Sequence, residues 1–371
     1  MERIHIAFFG PVNSGKSTLV NALAGQEVSL VSPVPGTTTD PVRKAIELPG
    51  LGPCVLIDTA GLDDAGQLGA ERERRTRAVL DETDVAVVLE PVSVIPDLIG
   101  DLEHAGIPIV SYERSQSIQS LLERIVAALP MEEEQFLTGN LVKKGDTVLL
   151  VMPQDSEAPK GRLILPQVQV LRELLDRGCV PVCCTPESLP GAVKRITPNL
   201  VITDSQVFKL VNETIPPEWP LTSFSILLAA SKGDIRVFLE GARAIDKLRP
   251  GDRVLIAEAC THVPDTEDIG RVKIPALLRR KMADQVGHDV MPGGDRAPLQ
   301  IDIAAGNDFP EDLSAYSLII HCGACVASKT LVSSRIRKAL LAGVPITNYG
   351  IALAHLQGIL ERVEIPGRGR E

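Results

Sequence analysis

Short β-rich runs, mostly apolar, recur through the first third of the chain, at residues 4–9, 44–48, 54–57, 85–89 and 107–110. Runs of that length read as strands. Residues 17–24 and 117–129 carry helical patterns, so this part predicts a parallel α/β sheet with helices packed on it. Leu129-Pro130 then meets the acidic run Glu132-Glu133-Glu134, and Lys143-Lys144-Gly145-Asp146 reads as a turn opening a strand at 147–152. The pattern resumes with a helical run at 167–177, an apolar strand at 179–184 and a strand at 200–203. After the turn Ser231-Lys232-Gly233-Asp234 it continues with a helix at 235–248, a strand at 253–257, a helix near 276–282 and a strand at 318–320. Residues 291–301, with Pro292-Gly293-Gly294-Asp295, read as a surface loop. The expectation is an α/β protein of three domains, 1–139, 140–230 and 231–371.

Length agrees, since 371 residues at roughly 150 per domain make two or three. No apolar run approaches the roughly 18 residues of a membrane span. Met1 to Ile6 enters the first strand pattern directly, which leaves no room for a charged leader and makes a cytoplasmic location the expectation. Lys plus Arg number 38 against 48 Asp plus Glu, a net charge of −10. That sign argues against nucleic acid or anionic lipid as a partner. Seven Phe, three Tyr and one Trp leave little for base-stacking platforms. The seven cysteines are sparse and odd in number, with Cys183 and Cys184 adjacent; reduced thiols for metal or redox work fit better than a disulfide scaffold.

Two constellations carry chemistry. Gly10-Pro11-Val12-Asn13-Ser14-Gly15-Lys16-Ser17 fits G-x-x-x-x-G-K-[ST] directly after an apolar strand and opens a helix. Its backbone N–H groups suit phosphate, Lys16 suits the β- and γ-phosphates, and Ser17 suits Mg²⁺. Asp58-Thr59-Ala60-Gly61 follows the strand at 54–57, placing Asp58 where a carboxylate can hold Mg²⁺ through water and Gly61 where its N–H can meet a γ-phosphate. Between them Pro35-Gly36-Thr37-Thr38-Thr39-Asp40 supplies hydroxyls in a loop able to close on the metal.

The second constellation is Cys260-Thr261-His262 with His321-Cys322-Gly323-Ala324-Cys325, both at the C-terminal ends of predicted strands. Three thiols and two imidazoles suit a [4Fe–4S] cluster with one exchangeable position, a Cys₃His zinc site or a C-x-x-C redox pair. Cys54, Cys179, Cys183 and Cys184 read as buried free thiols in apolar strands, and His5, His104, His288 and His355 as structural or solvent-facing.

The first constellation resembles the translation-factor-type GTPases with G-T-T in the switch loop, which include Era, Der and the tRNA-modifying MnmE. The resemblance implies GTP with Mg²⁺, Gly10, Asn13, Ser14, Gly15, Lys16, Ser17, Thr18 and Thr37 as nucleotide-binding residues, and Thr38 as the switch hydroxyl on the metal. It also implies K⁺, held near Asn13, as an activating ion. Lys16, Thr38, Asp58 and Gly61 are the implied catalytic set. Such GTPases read guanine with N-K-x-D after a later strand; here the strand at 107–110 runs into Ser111-Tyr112-Glu113-Arg114, and N-K-x-D occurs nowhere. The stretch from Asp84 to Pro130 is also short by about one strand–helix unit relative to those GTPases.

With C-x-H followed far downstream by H-C-x-x-C, the whole chain resembles the [FeFe]-hydrogenase maturation GTPases, the HydF family. The stretches from Ala158 to Gln167, Leu221 to Leu227, Ala257 to His262, Asp268 to Pro275 and Pro345 to Gly350 carry that resemblance. It implies a dimeric scaffold of GTPase, dimerisation and cluster domains. Cys260, Cys322 and Cys325 would hold a [4Fe–4S] cluster, with His262 or His321 at the exchangeable position. The resemblance also implies that the cluster helps hold a di-iron precursor for delivery to the hydrogenase, that GTP hydrolysis controls partner exchange, and that the partners are the hydrogenase and the radical-SAM maturation enzymes. The alternative is an Era- or Der-like RNA- or ribosome-associated switch with structural zinc.

Overall fold

The computed structural model describes residues 3–25, 41–61, 76–91, 96–129, 136–154, 161, 163–259, 268–286, 298–306, 308–325 and 327–367. The chain divides into two compact units, Met1–Glu133 and Glu134–Glu371.

In the first unit the described elements are β1 (Ile4–Phe9), α1 (Lys16–Ala24), β2 (Val42–Leu48), β3 (Gly52–Asp58), β4 (Val85–Leu89), α2 (Pro96–Ala105), β5 (Ile109–Tyr112) and α3 (Ile118–Ala128). They form a five-stranded sheet in the order β2-β3-β1-β4-β5. The expectation of a wholly parallel sheet is corrected at one edge, because β2 runs antiparallel to β3. Only Pro49-Gly50-Leu51 joins them, too short for the crossover that parallel neighbours need. Strand β5 begins two residues later than the sequence pattern suggests. The Ile107 N–H is spent on Leu102 O (3.0 Å) and Pro108 has no N–H, so the ladder starts at Ile109. Both faces of the sheet are covered, which is why its central strands read as unbroken apolar runs. Ile6, Phe8, Leu56 and Val87 pack with Leu19 of α1 and Leu121 and Ile125 of α3. Ala7, Phe9, Ile57 and Val88 face the other way, onto Leu98 and Leu102 of α2.

The second unit holds two parallel four-stranded sheets, ordered β7-β6-β8-β9 and β11-β10-β12-β13. The first is built from β6 (Thr147–Val151), α4 (Leu165–Asp176), β7 (Val180–Cys184), α5 (Leu189–Val193), β8 (Leu200–Thr203), α6 (Phe208–Thr214), β9 (Leu221–Ser223) and α7 (Phe224–Lys232). The second comprises α8 (Ile235–Arg243), β10 (Arg253–Glu258), α9 (Ile274–Val286), β11 (Gln300–Ala305), β12 (Leu318–His321), α10 (Lys329–Leu341), β13 (Ile346–Asn348) and α11 (Tyr349–Leu356). One continuous core serves both: Leu149, Val151, Ile226, Phe238, Leu255, Ile319 and Ile351 belong to a single buried cluster. Gly241 permits the contact between α8 and β13, since a Cβ there would lie 1.9 Å from Ile346 O. Gln300 and Ile301 belong to the edge strand β11 rather than to a surface loop; residues 291–297 lie outside the described residues. Cys183 is corrected from buried to exposed and Cys184 from buried to half-buried, because β7 is the edge of its sheet. Among the described residues no helix is long and apolar enough to cross a membrane.

Candidate functional site

The phosphate loop is formed as its sequence requires. Asn13 (φ 61°) and Gly15 (φ 95°) adopt left-handed backbone, curling the chain between β1 and α1. Gly15 caps α1 without a side-chain hydrogen bond, and the first turn of a helix is where backbone N–H groups suit an anion. Lys16 is buried and donates to Gly10 O (2.9 Å), Pro11 O (2.7 Å) and Ser14 Oγ (3.4 Å), which brings its ammonium to the inner side of the loop. Ser17 is half-buried and Thr18 exposed on the first turn of α1.

Asp58 ends β3 beside β1, where Phe8 is its register partner. Its carboxylate is buried, and neither oxygen has a hydrogen-bond partner among the described residues. A buried unpartnered carboxylate costs free energy unless it has a cation or donor to meet, so the donor chemistry fits a hydrated Mg²⁺ shared with Ser17. The neighbouring Thr59 hydroxyl donates to Phe8 O (2.6 Å), fixing the strand end. Gly61 lies hard against the phosphate loop: a Cβ there would sit 2.4 Å from Val12 Cγ2 and 2.7 Å from Val12 Cα. Thr37 and Thr38 lie outside the described residues.

In the second unit, β10 and β12 bring Glu258, Ala259 and the His321-to-Cys325 segment together. Cys322 Sγ accepts the N–H groups of Ala259 (3.1 Å) and Ala324 (3.4 Å). Ala324 holds a left-handed conformation (φ 49°), and the buried Lys232 clasps its carbonyl (2.8 Å) and that of Ala327 (2.7 Å). Asn348 Nδ2 donates to Cys322 O (3.1 Å). The thiol-bearing turn is thus fixed from α7 and from β13. Cys325 is half-buried on it, and Cys260, Thr261 and His262 lie outside the described residues, directly beyond Ala259. Among the described residues there is no group of three or more metal-ligating side chains.

His321 is buried with both ring nitrogens engaged. Arg335 can only donate, so its contact with Nε2 (3.1 Å) makes that nitrogen an acceptor and leaves the Nδ1–H to donate to Cys322 O (2.8 Å). Burial, and next the Arg335 charge, push the His321 pKa down to about 3. Arg335 also donates to Glu258 O (3.2 Å) and Gly306 O (2.5 Å) and stacks over Phe309. Glu258, buried at the end of β10, pairs with Arg271 (2.7 Å) on the π turn Ile269–Lys273.

Three of these residues escape sequence reasoning. Arg335 carries a visible signal, a charge on the apolar stripe of α10 with Val332, Ile336 and Ala339. Lys232, at the end of an apolar helix, gives a weaker one. Arg114, whose guanidinium reaches Ser14 O (3.0 Å) and Asn13 O (2.6 Å), gives none, because the contact joins positions a hundred residues apart.

Comparison with known proteins matches three segments of the chain. Residues 5–124 match the family model of a 50S ribosome-binding GTPase, residues 137–233 that of the hydrogen maturase F dimerization domain, and residues 236–365 that of the hydrogen maturase F tetramerization domain. The tRNA modification GTPase MnmE of Methylobacterium sp. (strain 4-46) is 47% identical over 88 residues, 23% of this chain and 20% of that protein. MnmE of Acidiphilium cryptum is 44% identical over 106 residues, 27% of this chain and 24% of that protein. The chain thus spans only about a fifth to a quarter of the length of these relatives. Among solved structures, Aquifex aeolicus Era bound to GDP.AlF4- is 19% identical, covering 50% of this chain and 93% of that chain with a TM-score of 0.28.

Proposed function

This chain belongs to the hydrogen maturase F family, with a GTPase domain ahead of dimerization and tetramerization domains, and from that premise we propose that it is a GTP-hydrolysing scaffold of [FeFe]-hydrogenase maturation. In this reading it holds a [4Fe–4S] cluster and a di-iron precursor, and nucleotide turnover controls exchange with the hydrogenase and the radical-SAM maturation enzymes. The observation that supports it most is the setting of Cys322, whose sulfur receives two backbone N–H groups on a turn fastened by Lys232 and Asn348. Such donors favour a thiolate over a thiol. Cys260, Cys322 and Cys325 would hold the cluster, which when bound supplies an iron with an open position for cargo. His262 is the better candidate at that position, since both nitrogens of His321 are already engaged.

In the GTPase domain Ser17, Asp58 and Thr38 would hold Mg²⁺, and Asn13 would hold K⁺. Lys16 and the N–H groups of the loop stabilise charge on the transferred phosphoryl group as water attacks. The orphaned carboxylate of Asp58 supports the metal assignment. A homodimer working in the cytoplasm completes the reading. Its test is separability: Lys16→Ala abolishes GTP turnover and leaves cluster loading intact, while Cys322→Ser does the reverse. Loss of both properties from either substitution refutes it.

A further inference from the structure

The C-terminal edge of the first sheet orders the parts of a bound nucleotide. Asp58 ends β3 and Gly61 follows it, the phosphate loop follows β1, and β4 and then β5 lie beyond, on the side away from Asp58. With the metal and terminal phosphate on the β3 side, the nucleoside extends toward the loop after β5. That loop, Glu113-Arg114-Ser115-Gln116, touches the phosphate loop directly. Arg114 Nε donates to Ser14 O (3.0 Å) and Nη2 to Asn13 O (2.6 Å), close enough that a Cβ on Gly15 would lie 3.2 Å from Nη2. The loop is itself braced: Gln116 N–H donates to Glu113 O (3.0 Å) and the Tyr112 hydroxyl to Gln116 O (3.1 Å).

The side chain at its end decides what the loop offers a base. Guanine presents two donors there, N1–H and the exocyclic amine, which a carboxylate accepts together. The Gln116 amide oxygen accepts from Arg124 Nη2 (2.6 Å) and from the Glu113 N–H (3.5 Å), which takes both of its lone pairs and leaves the amide N–H group as what this side chain has to offer a ligand. Donor meets donor with guanine, whereas the N1 acceptor of adenine has a partner. We infer that this domain takes purine nucleoside triphosphates through the phosphates and does not select guanine, with Gln116, held by Arg124, as the residue that removes the selection. The inference rests on the nucleotide-binding reading of the phosphate loop and deepens it.

The test is equilibrium titration of the full chain with fluorescent GDP and ADP analogues and Mg²⁺. Affinities within about tenfold of each other are expected, and GDP bound more than about tenfold tighter overturns the inference. The double variant Gln116→Asp with Arg124→Gln supplies two free acceptors, and its preference for GDP over ADP should rise by at least about tenfold. An unchanged ratio in that variant shows that Gln116 does not face the base and also overturns the inference. Binding of neither nucleotide by wild type, or equal binding by Lys16→Ala, refutes instead the nucleotide reading beneath it.

Discussion

Replacing Gly61 by Ala adds one methyl group at the joint between β3 and the phosphate loop. The new Cβ would stand 2.4 Å from Val12 Cγ2, 2.7 Å from Val12 Cα and 2.8 Å from Val12 N. Carbon atoms sit at ease about 3.5–4.0 Å apart. The valine methyl can rotate aside, but Cα and N are backbone, so the two strand ends must separate by roughly 0.8 Å or more. Overpacking of this kind costs about 1–3 kcal/mol, and for a unit of this size that lowers the melting temperature by roughly 3–12 °C. A displacement of about 1 Å in the group that positions a reacting phosphate costs on the order of a hundredfold in rate. Thermal denaturation followed by circular dichroism, with single-turnover GTP hydrolysis on the same protein, reads both effects. If Gly61→Ala melts and hydrolyses like wild type, the contact with Val12 does not set the geometry of the loop and the reasoning fails.

Asp58→Asn removes a buried charge that no side chain among the described residues satisfies. The metal-free protein should gain about 1 kcal/mol or more of stability while Mg²⁺-dependent nucleotide affinity falls; a variant less stable than wild type without metal would contradict the orphaned carboxylate. Gly241→Ala places a Cβ 1.9 Å from Ile346 O and should cost about 2–3 kcal/mol, read as a lower urea midpoint for the second unit; an unchanged midpoint contradicts the close seating of α8 on β13. For Glu82, burial raises the pKa, but His5 beside it (3.5 Å) and the hydrogen-bonded Arg43 guanidinium (3.1 Å) outweigh that and hold the carboxyl below its ordinary value of 4.5. A depressed carboxyl contributes stability above the unfolded value and loses it as pH falls through the folded one. Acid unfolding below pH 4.5 should therefore be shallower in Glu82→Gln than in wild type, and equal slopes would refute the assignment.

Much of the site is legible in the sequence because it is local. Gly10 to Ser17 encodes its own turn, its cation and its helix start within eight residues, and Asp58 follows from the end of an apolar strand. The C-x-x-C turn is equally visible in Cys322 to Cys325. What holds it is not, since Lys232 and Asn348 arrive from other elements and act on backbone carbonyls, which leave no trace in side-chain pattern. Strand β9 and helix α7 are hidden for a different reason. Leu221 to Ala230 sets Thr222, Ser223 and Ser225 ahead of a solid apolar run, so neither period stands out, and strand passes to helix with Ser223 as the cap, its Oγ accepting from Ile226 N (3.3 Å). The direction of β2 was set by a three-residue connection, and the start of β5 by one proline and one N–H claimed by α2. Such features belong to neighbouring elements, and hydrophobic periodicity within a strand is blind to them.

The central claim is that Cys260, Cys322 and Cys325 hold an iron–sulfur cluster. Anaerobic reconstitution with iron and sulfide, followed by metal analysis and low-temperature EPR of wild type and the three Cys→Ser variants, tests it most directly. The account predicts a [4Fe–4S] signal in the reduced wild-type protein that is diminished or lost in each variant, with GTP turnover retained. Stoichiometric zinc that iron does not replace would contradict it and leave a GTPase with a structural metal.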